Sequence, residues 1–138
     1  MFLIQAIYFS KLNSNINHKD IEQILECSRR NNAKKNITGI LAFNGEYFLQ
    51  ALEGSRANVN AVLERIYKDQ RHEEICIVHH NEITERDFSD WDMAYAGQDK
   101  LRRELILRYS GSSEFIPSCL SGASALALLK ALKMSTET

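Results

Sequence analysis

The chain has 138 residues, of which 44% are hydrophobic and 25% are charged. This composition is typical of one globular domain with a hydrophobic core, and nothing in the sequence suggests disorder or repeats. Seventeen basic residues face eighteen acidic ones, and the resulting net charge of −1 argues against nucleic acid or an anionic membrane as a direct partner.

The cysteines and the N-terminal residues bear on cellular location. Cys27, Cys76 and Cys119 are widely spaced, so they predict neither a disulfide framework nor a metal site, and we expect each to be a buried or half-buried small hydrophobe. The first residues lack the basic start of a signal peptide, and no apolar run approaches the ~20 residues that a membrane span needs. We therefore expect a soluble, cytoplasmic protein without a membrane partner.

A first strand and a first helix open the chain. The alternation of residues 2–9 predicts a strand. Tyr8 on this strand is either an ordinary core tyrosine with a paired hydroxyl, or it presents the hydroxyl to the same partner as Gln50. Asn17 is a predicted N-cap, after which an apolar stripe at helical spacing ends in polar residues. Of these, Asn31 and Asn32 either end the helix or offer amide groups to a ligand.

A predicted hairpin follows at residues 37–54. Asn44-Gly45 predicts a two-residue type I′ turn with positive φ at both central residues, between two strands that we expect to be central in the sheet. Alternation places Gln50 on one face between Phe48 and Leu52. A buried carboxamide without partners costs roughly 1–3 kcal/mol, so either protein groups or a ligand must satisfy Gln50.

Ser55 is the predicted N-cap of a second helix with a buried apolar stripe that ends near Ile66. Arg65 and Asp69 stand four residues apart, with His72 at the predicted end of the helix. Arg65 and Asp69 either form an exposed ion pair, with His72 as a residue that suits the helix dipole, or Arg65, which lies beside the apolar stripe, reaches something held between the helices.

The remaining pattern completes the predicted fold. Residues 74–80 predict a strand, and Trp91, Met93 and Tyr95 alternate with Asp90, Asp92 and Ala94 in a predicted last strand. The order βαββαββ predicts an α+β sandwich of the ferredoxin-like type with both helices on one face of the sheet. Residues 98–109 and 119–133, with Pro117 at the start of the second segment, predict two further helices that cover the other face or build an oligomer contact.

The residues singled out above, with several of their neighbours, share one order and spacing: Tyr8, Ser28, Asn31, Asn32, Thr38, Gly39, Phe48 to Gln50, Leu52 to Gly54, Arg65, Asp69, His72, Trp91 and Met93. This set resembles the BLUF family, the blue-light sensors that use flavin adenine dinucleotide (FAD). The resemblance covers residues 1–96, which it predicts to be the flavin-binding domain. Residues 97–138 then form a C-terminal helical extension for capping or oligomerisation.

The resemblance implies a photochemical role for four residues. Tyr8 and Gln50 would be the photoactive pair, with Gln50 bridging Tyr8 to the N5 and O4 edge of the flavin. After blue light drives electron and proton transfer from Tyr8, Gln50 would rearrange its hydrogen bonds and give a red-shifted signalling state. Trp91 and Met93 would relay this change to the sheet.

The resemblance also implies a cofactor site between the two helices. Asn32 would bind the pyrimidine edge of the ring, Arg65 would donate to its O2 side, and Asp69 and His72 would help to hold the ribityl-phosphate region. The full implied set is Ile24, Ser28, Asn31, Asn32, Gln50, Arg65, Ile66, Asp69 and His72.

Two other classes of function remain open at this point. The sequence has no nucleophile–base–orienter set and no phosphate-loop motif, so we expect no enzyme, but a small flavin-dependent redox enzyme or a ligand-binding ferredoxin-like module is the alternative. His79 and His80 point to opposite faces of a strand and cannot bind one metal ion together. A sensor without an effector is expected to form a homo-oligomer and to act on a separate effector or regulator protein.

Overall fold

The predicted order of strands and helices is confirmed by a computed structural model, which describes residues 2–13, 17–89 and 91–136. The elements in chain order are β1 (Leu3–Leu12), α1 (His18–Lys34), β2 (Thr38–Phe43), β3 (Tyr47–Ser55), α2 (Arg56–Lys68), β4 (His72–Glu82), β5 (Ala94–Ala96), α3 (Arg103–Tyr109), a 3₁₀ turn (Pro117–Cys119) and α4 (Gly122–Thr136).

The strands form one sheet in the order β4-β1-β3-β2-β5. All neighbouring strands are antiparallel except β2 and β5, which are parallel. β3 is central, as expected, and Gln50 on it stands directly opposite Tyr8 of β1 and Leu41 of β2. Directly opposed side chains lie close enough to interact, so the register alone brings Tyr8 and Gln50 together.

Helices cover both faces of this sheet, and each face has its own hydrophobic core. The α1/α2 face packs Tyr8, Phe48 and Leu52 against apolar residues of α1 and α2. The α3/α4 face packs Ile7 and Leu49 against apolar residues of α3 and α4. The α+β, ferredoxin-like sandwich with two helices on each side is therefore confirmed, and strand alternation sorts the residues of β1 and β3 to these faces as predicted.

Both predicted helix caps are present. Asn17 and Asp20 form a reciprocal capping box at the start of α1, and the Ser55 side chain accepts the Asn58 N–H at the start of α2. α1 continues to Lys34, so Asn31 and Asn32 lie within its last turns and do not end it.

The hairpin turn lies one residue later than the sequence predicts. The Asn44 N–H donates to the Tyr47 carbonyl at 3.4 Å, so Gly45 and Glu46 are the two central residues. φ is positive at Gly45 (98°) but not at Asn44, so the type I′ turn predicted for Asn44-Gly45 is wrong. The reason is the Asn44 side chain, whose Oδ1 accepts the N–H groups of Glu46 and Tyr47 and thereby holds Asn44 at the first position of the turn.

The segment before the last strand also differs from the prediction. A strand running through Trp91 and Met93 is wrong, because β5 contains only Ala94–Ala96. Trp91 packs on the α3/α4 face and Met93 on the α1/α2 face. Alternation fails here because the chain bends before β5, with the Trp91 N–H donating to the Phe88 carbonyl. Asp90, which the sequence places in this strand, lies outside the described residues.

The C-terminal helices have different bounds from those predicted. α3 begins at Arg103, not at residue 98, because residues 97–101 form hydrogen-bonded turns. α4 begins at Gly122, not at residue 119, because Ser121 caps it by accepting a backbone N–H of the first turn at 3.0 Å. Pro117 instead opens the short 3₁₀ turn.

The cysteines contradict the expectation of burial, since Cys27, Cys76 and Cys119 are all exposed. Cys27 lies on α1, Cys76 on the edge strand β4 and Cys119 in the 3₁₀ turn, and little of the structure covers these positions. Among the described residues, no group of three or more His, Cys, Asp or Glu side chains is placed to bind a metal ion. Over the same ranges, no helix is long and apolar enough to cross a membrane.

Gly39 is required for the close approach of β2 and β3. A Cβ added to Gly39 would lie 1.9 Å from the Ala51 carbonyl oxygen. We expect Gly39→Ala to lower the free energy of unfolding by about 3 kcal/mol, because the strands must separate to relieve this contact. Gly111→Ala is the matched control, since nothing lies within 4 Å of its added Cβ. Denaturant unfolding measures both, and equal stability of the two variants would contradict the assignment.

Candidate functional site

A cavity of about 410 Å³ lies between α1 and α2, above the middle of the sheet. Every residue that the sequence predicts for the photoactive pair and the cofactor site lines it: Tyr8, Ile24, Ser28, Asn31, Asn32, Gln50, Arg65, Ile66, Asp69 and His72. Trp91 and Met93, the predicted relay residues, do not line the cavity.

At the buried end of the cavity, a chain of hydrogen bonds joins β1, β3 and the segment just before β5. The Tyr8 hydroxyl donates to Gln50 Oε1 at 2.5 Å, and Gln50 Nε2 donates to the Met93 thioether Sδ at 3.3 Å. Tyr8, Gln50 and Met93 are all buried. Both ends of the Gln50 carboxamide thus have protein partners, although the sulfur is a weak acceptor.

Burial fixes the protonation state of Tyr8. Removal from water raises the pKa of the Tyr8 phenol far above its usual value, and the negative charge of Asp69 raises it further. The phenol therefore stays protonated over the whole physiological range. Its proton lies in the hydrogen bond to Gln50, so any change that makes the phenol acidic sends the proton toward Gln50 Oε1.

Two residues of α1 hold the segment that carries Met93. Asn32 Nδ2 donates to the Asp92 carbonyl at 3.0 Å, and Arg29 Nε donates to the Met93 carbonyl at 3.0 Å. The Asn32 carboxamide keeps its Oδ1 and its second amide proton for another partner. Asn32 is thus a part of the cavity wall and also holds the segment that carries Met93.

The charges at the cavity mouth are arranged differently from either sequence interpretation. Asp69 pairs with Arg71 at 2.6 Å rather than with Arg65. The hydrogen bond from Arg71 lowers the pKa of Asp69, so this carboxylate stays charged. Among the described residues no carboxylate pairs with Arg65, which lines the cavity with an exposed side chain.

His72 is the first residue of β4 and does not lie at the end of α2, which corrects the predicted placement. Its Nδ1 lies 2.8 Å from the Ser10 hydroxyl, and its ring lies 5.0 Å from that of Phe48. Burial lowers the pKa of His72, so the imidazole is neutral at physiological pH. With Nδ1 held by Ser10, Nε2 is the nitrogen that remains for a ligand.

Several lining residues were missed from the sequence: Gln23, Cys27, Leu41 and Arg71. Helical spacing could have found Cys27, which lies one turn from both Ile24 and Asn31. The strand register could have found Leu41, which stands opposite Gln50. Arg71 gave no signal, because it lies in the short connection between α2 and β4.

The lining matches the chemistry of FAD. Ile24, Ile66 and their apolar neighbours offer walls for a flat ring. Asn32 offers both an acceptor and a donor, as the N3–H and carbonyl groups of a flavin require, and Gln50 lies at the buried end. Arg65 at the mouth suits carbonyl or phosphate oxygens. The residues present therefore fit the cofactor that the sequence resemblance implies.

Comparisons with known proteins identify the family to which this chain is similar. The family model described as "Sensors of blue-light using FAD" (BLUF) matches residues 3–94. The blue light- and temperature-regulated antirepressor BluF of Escherichia coli K12 is 37% identical over 70 residues, which cover 51% of this chain but only 17% of that protein. Among solved structures, BlrB in its dark state is 32% identical with a TM-score of 0.82, covering 97% of this chain and 96% of that one. BlsA in its photo-activated state is 28% identical with a TM-score of 0.89, covering 99% and 98%.

The family match spans the elements that build the cavity. It begins at the first residue of β1 and ends at the first residue of β5, and every residue that lines the cavity lies inside it. It also covers about two thirds of the chain. The chain therefore belongs to the BLUF family, the blue-light sensors that use FAD.

Proposed function

We propose that this protein is a blue-light photoreceptor that holds FAD in the cavity between α1 and α2, with Tyr8 and Gln50 as its photoactive pair. The observation that carries the proposal is the hydrogen-bonded chain from Tyr8 through Gln50 to Met93 at the buried end of that cavity. A structural glutamine needs no cavity beside it, whereas a photoactive one must reach a cofactor and a proton donor together.

Bound FAD would supply the absorption of blue light and the acceptor for one electron at this end of the cavity. Loss of an electron makes the Tyr8 phenol strongly acidic, and its proton then moves along the existing hydrogen bond to Gln50 Oε1. The electron and one proton return to Tyr8 once the carboxamide has rearranged, so the reaction causes no net oxidation. Because burial keeps the phenol neutral in the dark, Tyr8 gives up electron and proton only after excitation.

Gln50 converts this transfer into a new hydrogen-bond pattern. Its carboxamide has one donor end and one acceptor end, so rotation or tautomerisation rewires the site without moving the backbone. In the dark arrangement Oε1 accepts from Tyr8 and Nε2 donates to Met93. A rearranged Gln50 would present a changed hydrogen bond to FAD, which would supply the red-shifted absorption, and it would give up its present contact with Met93.

The change at Met93 can reach the opposite side of the sheet. Met93 packs on the α1/α2 face, whereas Trp91, two residues earlier, packs against the core that includes α4. We propose that residues 1–96 form the sensor and that residues 97–138 cap the sheet and carry the contact with a second copy or a separate regulator. The E. coli relative is an antirepressor, which is consistent with a regulatory protein as the target. We place this exchange in the cytoplasm.

Absorption spectroscopy tests the proposal directly. The purified protein, incubated with FAD, should be yellow, and blue light should shift its spectrum to the red, with full return in the dark and without any substrate. The cofactor released by denaturation should be identified by chromatography. A protein that stays colourless would contradict the flavin site, and a coloured protein that bleaches only when a substrate is added would indicate a redox enzyme instead.

Arg65 should contribute to retention of the cofactor rather than to folding. Arg65→Ala removes charge-assisted donors at the cavity mouth, so we expect FAD to bind about tenfold more weakly while the melting temperature of the apoprotein is unchanged. Arg56→Ala is the control on the same helix, because Arg56 forms an exposed pair with Glu82 and does not line the cavity. A flavin titration measures the dissociation constant of each variant. Equal dissociation constants would show that Arg65 is an ordinary surface residue that does not hold the cofactor.

A further inference from the structure

A fully buried carboxylate lies on the side of the sheet opposite the cavity. Glu53 of β3 stands three residues after Gln50, points to the α3/α4 face and is 0% exposed. Its two oxygens accept four hydrogen bonds, so it acts as an acceptor only, as a carboxylate does. The proposed photoreaction does not use this group. Because burying a carboxylate costs free energy, its position in the fold calls for an explanation.

The four donors fall into two matched pairs. Glu53 Oε2 accepts the Asp87 N–H at 2.7 Å and Gln5 Nε2 at 2.8 Å. Oε1 accepts the Phe88 N–H at 2.9 Å and the Thr38 hydroxyl at 3.1 Å. Each oxygen therefore binds one side chain of a neighbouring strand and one backbone N–H of the connection between β4 and β5.

Further contacts hold the same connection to the sheet and to α4. Arg86 Nη1 donates to the Thr38 hydroxyl at 2.9 Å and to the Glu53 carbonyl at 3.2 Å. Lys133 Nζ donates to the Asp87 carbonyl at 2.7 Å. Residues 86–88 are therefore fixed from three sides, with the Glu53 carboxylate at the centre.

From this anchor the chain needs only five residues to reach the photoactive pair. The Phe88 carbonyl accepts the Trp91 N–H at 3.3 Å, and the Trp91 carbonyl accepts the Gly39 N–H at 3.2 Å. Two residues later the Met93 sulfur accepts Gln50 Nε2. The hydrogen bond between Phe88 and Trp91 therefore offers a direct connection by which a displacement of residues 87–88 can reach Met93.

We propose that Glu53 is a positioning residue for the photoreaction, which fixes the β4–β5 connection and thereby sets the position of Met93 against Gln50. The proposal rests on the proposed function, because it assigns Glu53 to the same photoactive pair. Glu53 and Gln50 lie on opposite faces of one strand, and the β4–β5 connection joins them around the edge of the sheet.

Glu53→Gln is a sharp test because of the donor geometry. A glutamine replaces one acceptor oxygen by an NH₂ group, and either orientation turns this group toward the backbone N–H of Asp87 or of Phe88. The side-chain partners Gln5 and Thr38 can reorient to accept, but a backbone N–H cannot. The substitution therefore releases the connection at one point while the side chain keeps its size.

Two measurements report on Met93. With methyl-¹³C methionine, the Met93 resonance of Glu53→Gln should shift or broaden, with and without FAD, while that of the exposed Met134 stays unchanged. With FAD bound, thermal return from the red-shifted state should be at least about fivefold faster. A less firmly held Met93 side chain opposes the return of the Gln50 carboxamide to its dark orientation less strongly. In a Met93→Leu background, Glu53→Gln should leave the return rate unchanged.

Controls separate positioning from general loss of stability. Ile106→Ala, in the core of the α3/α4 face, should destabilise the fold without moving the Met93 resonance or the return rate. If Glu53→Gln does not fold, Arg86→Leu decides, since it removes one tether of residues 86–88 from a half-buried site and should shift the same resonance.

The proposal is overturned if the Met93 resonance stays in place, or if Glu53→Gln speeds the return equally in the Met93→Leu background. An absent red shift in the wild type would instead contradict the proposed function, and the resonance of Met93 would still decide the role of Glu53.

Discussion

Tyr8→Phe should bind FAD about as well as the wild type and should lose the light-induced red shift entirely. The substitution removes one hydroxyl, which is the only donor from Tyr8 to Gln50 Oε1, and leaves the aromatic ring in its buried place. Phenylalanine has no proton to release, so Gln50 receives none and keeps its dark arrangement. Light-minus-dark absorption spectra of the two proteins measure the effect.

Tyr95→Phe provides the matched control for this experiment. Tyr95 packs beside the same core but is only half-buried, and its phenol pKa is also raised by burial. It does not line the cavity. The control should therefore keep a red shift of full size. A normal red shift in Tyr8→Phe would contradict the assignment of Tyr8 as the photoactive donor.

Met93→Ala should keep the red shift and lose the light-dependent change in assembly or partner binding. In the proposed photoreaction the electron and the proton leave Tyr8 and the proton moves to Gln50, and the substitution changes neither residue. The proposed relay, by contrast, loses the side chain that contacts Gln50 Nε2. Truncating this buried methionine costs about 2–5 kcal/mol, so the comparison must be made well below the melting temperature.

Size-exclusion chromatography of lit and dark samples measures the output of Met93→Ala. Leu63→Ala is the control, because Leu63 is buried in the same α1/α2 core as Met93, does not line the cavity and lies outside residues 97–138. A Met93→Ala protein that switches its assembly as the wild type does would show that the signal leaves the cavity by another route, for example through Asn32 or Arg29 of α1.

Much of the fold could be predicted because local rules and burial agree along the first seventy residues. Strand alternation sorted β1 and β3 correctly between the two faces, and the caps at Asn17 and Ser55 are determined by residues within one turn of them. The prediction failed where tertiary contacts override alternation. Trp91 and Met93 lie on opposite faces because turns and tethers, not a strand ladder, shape that segment.

In the candidate site, too, some features could be predicted from the sequence and others could not. Residues on the apolar faces of α1 and α2, such as Ile24 and Ile66, follow from helical spacing, and the family resemblance supplied the polar ones. The partners of these residues did not follow, because an ion pair such as Asp69–Arg71 or a tether such as that of Arg29 depends on how the chain returns in space. The four hydrogen bonds that the Glu53 carboxylate accepts likewise could not be predicted from any local pattern.

The shortness of β5 has a consequence for how far a signal must reach. Within the described residues, only Ala94–Ala96 join this edge strand to β2, and on its other side the strand has no neighbour in the sheet. β1 and β3, by contrast, are paired over nine residues. Local opening costs least where few ladder bonds and few neighbours oppose it. In the proposed photocycle we therefore expect a shift of Met93 to detach or slide this last strand alone, while the central strands that hold Tyr8 and Gln50 keep their register for the next cycle.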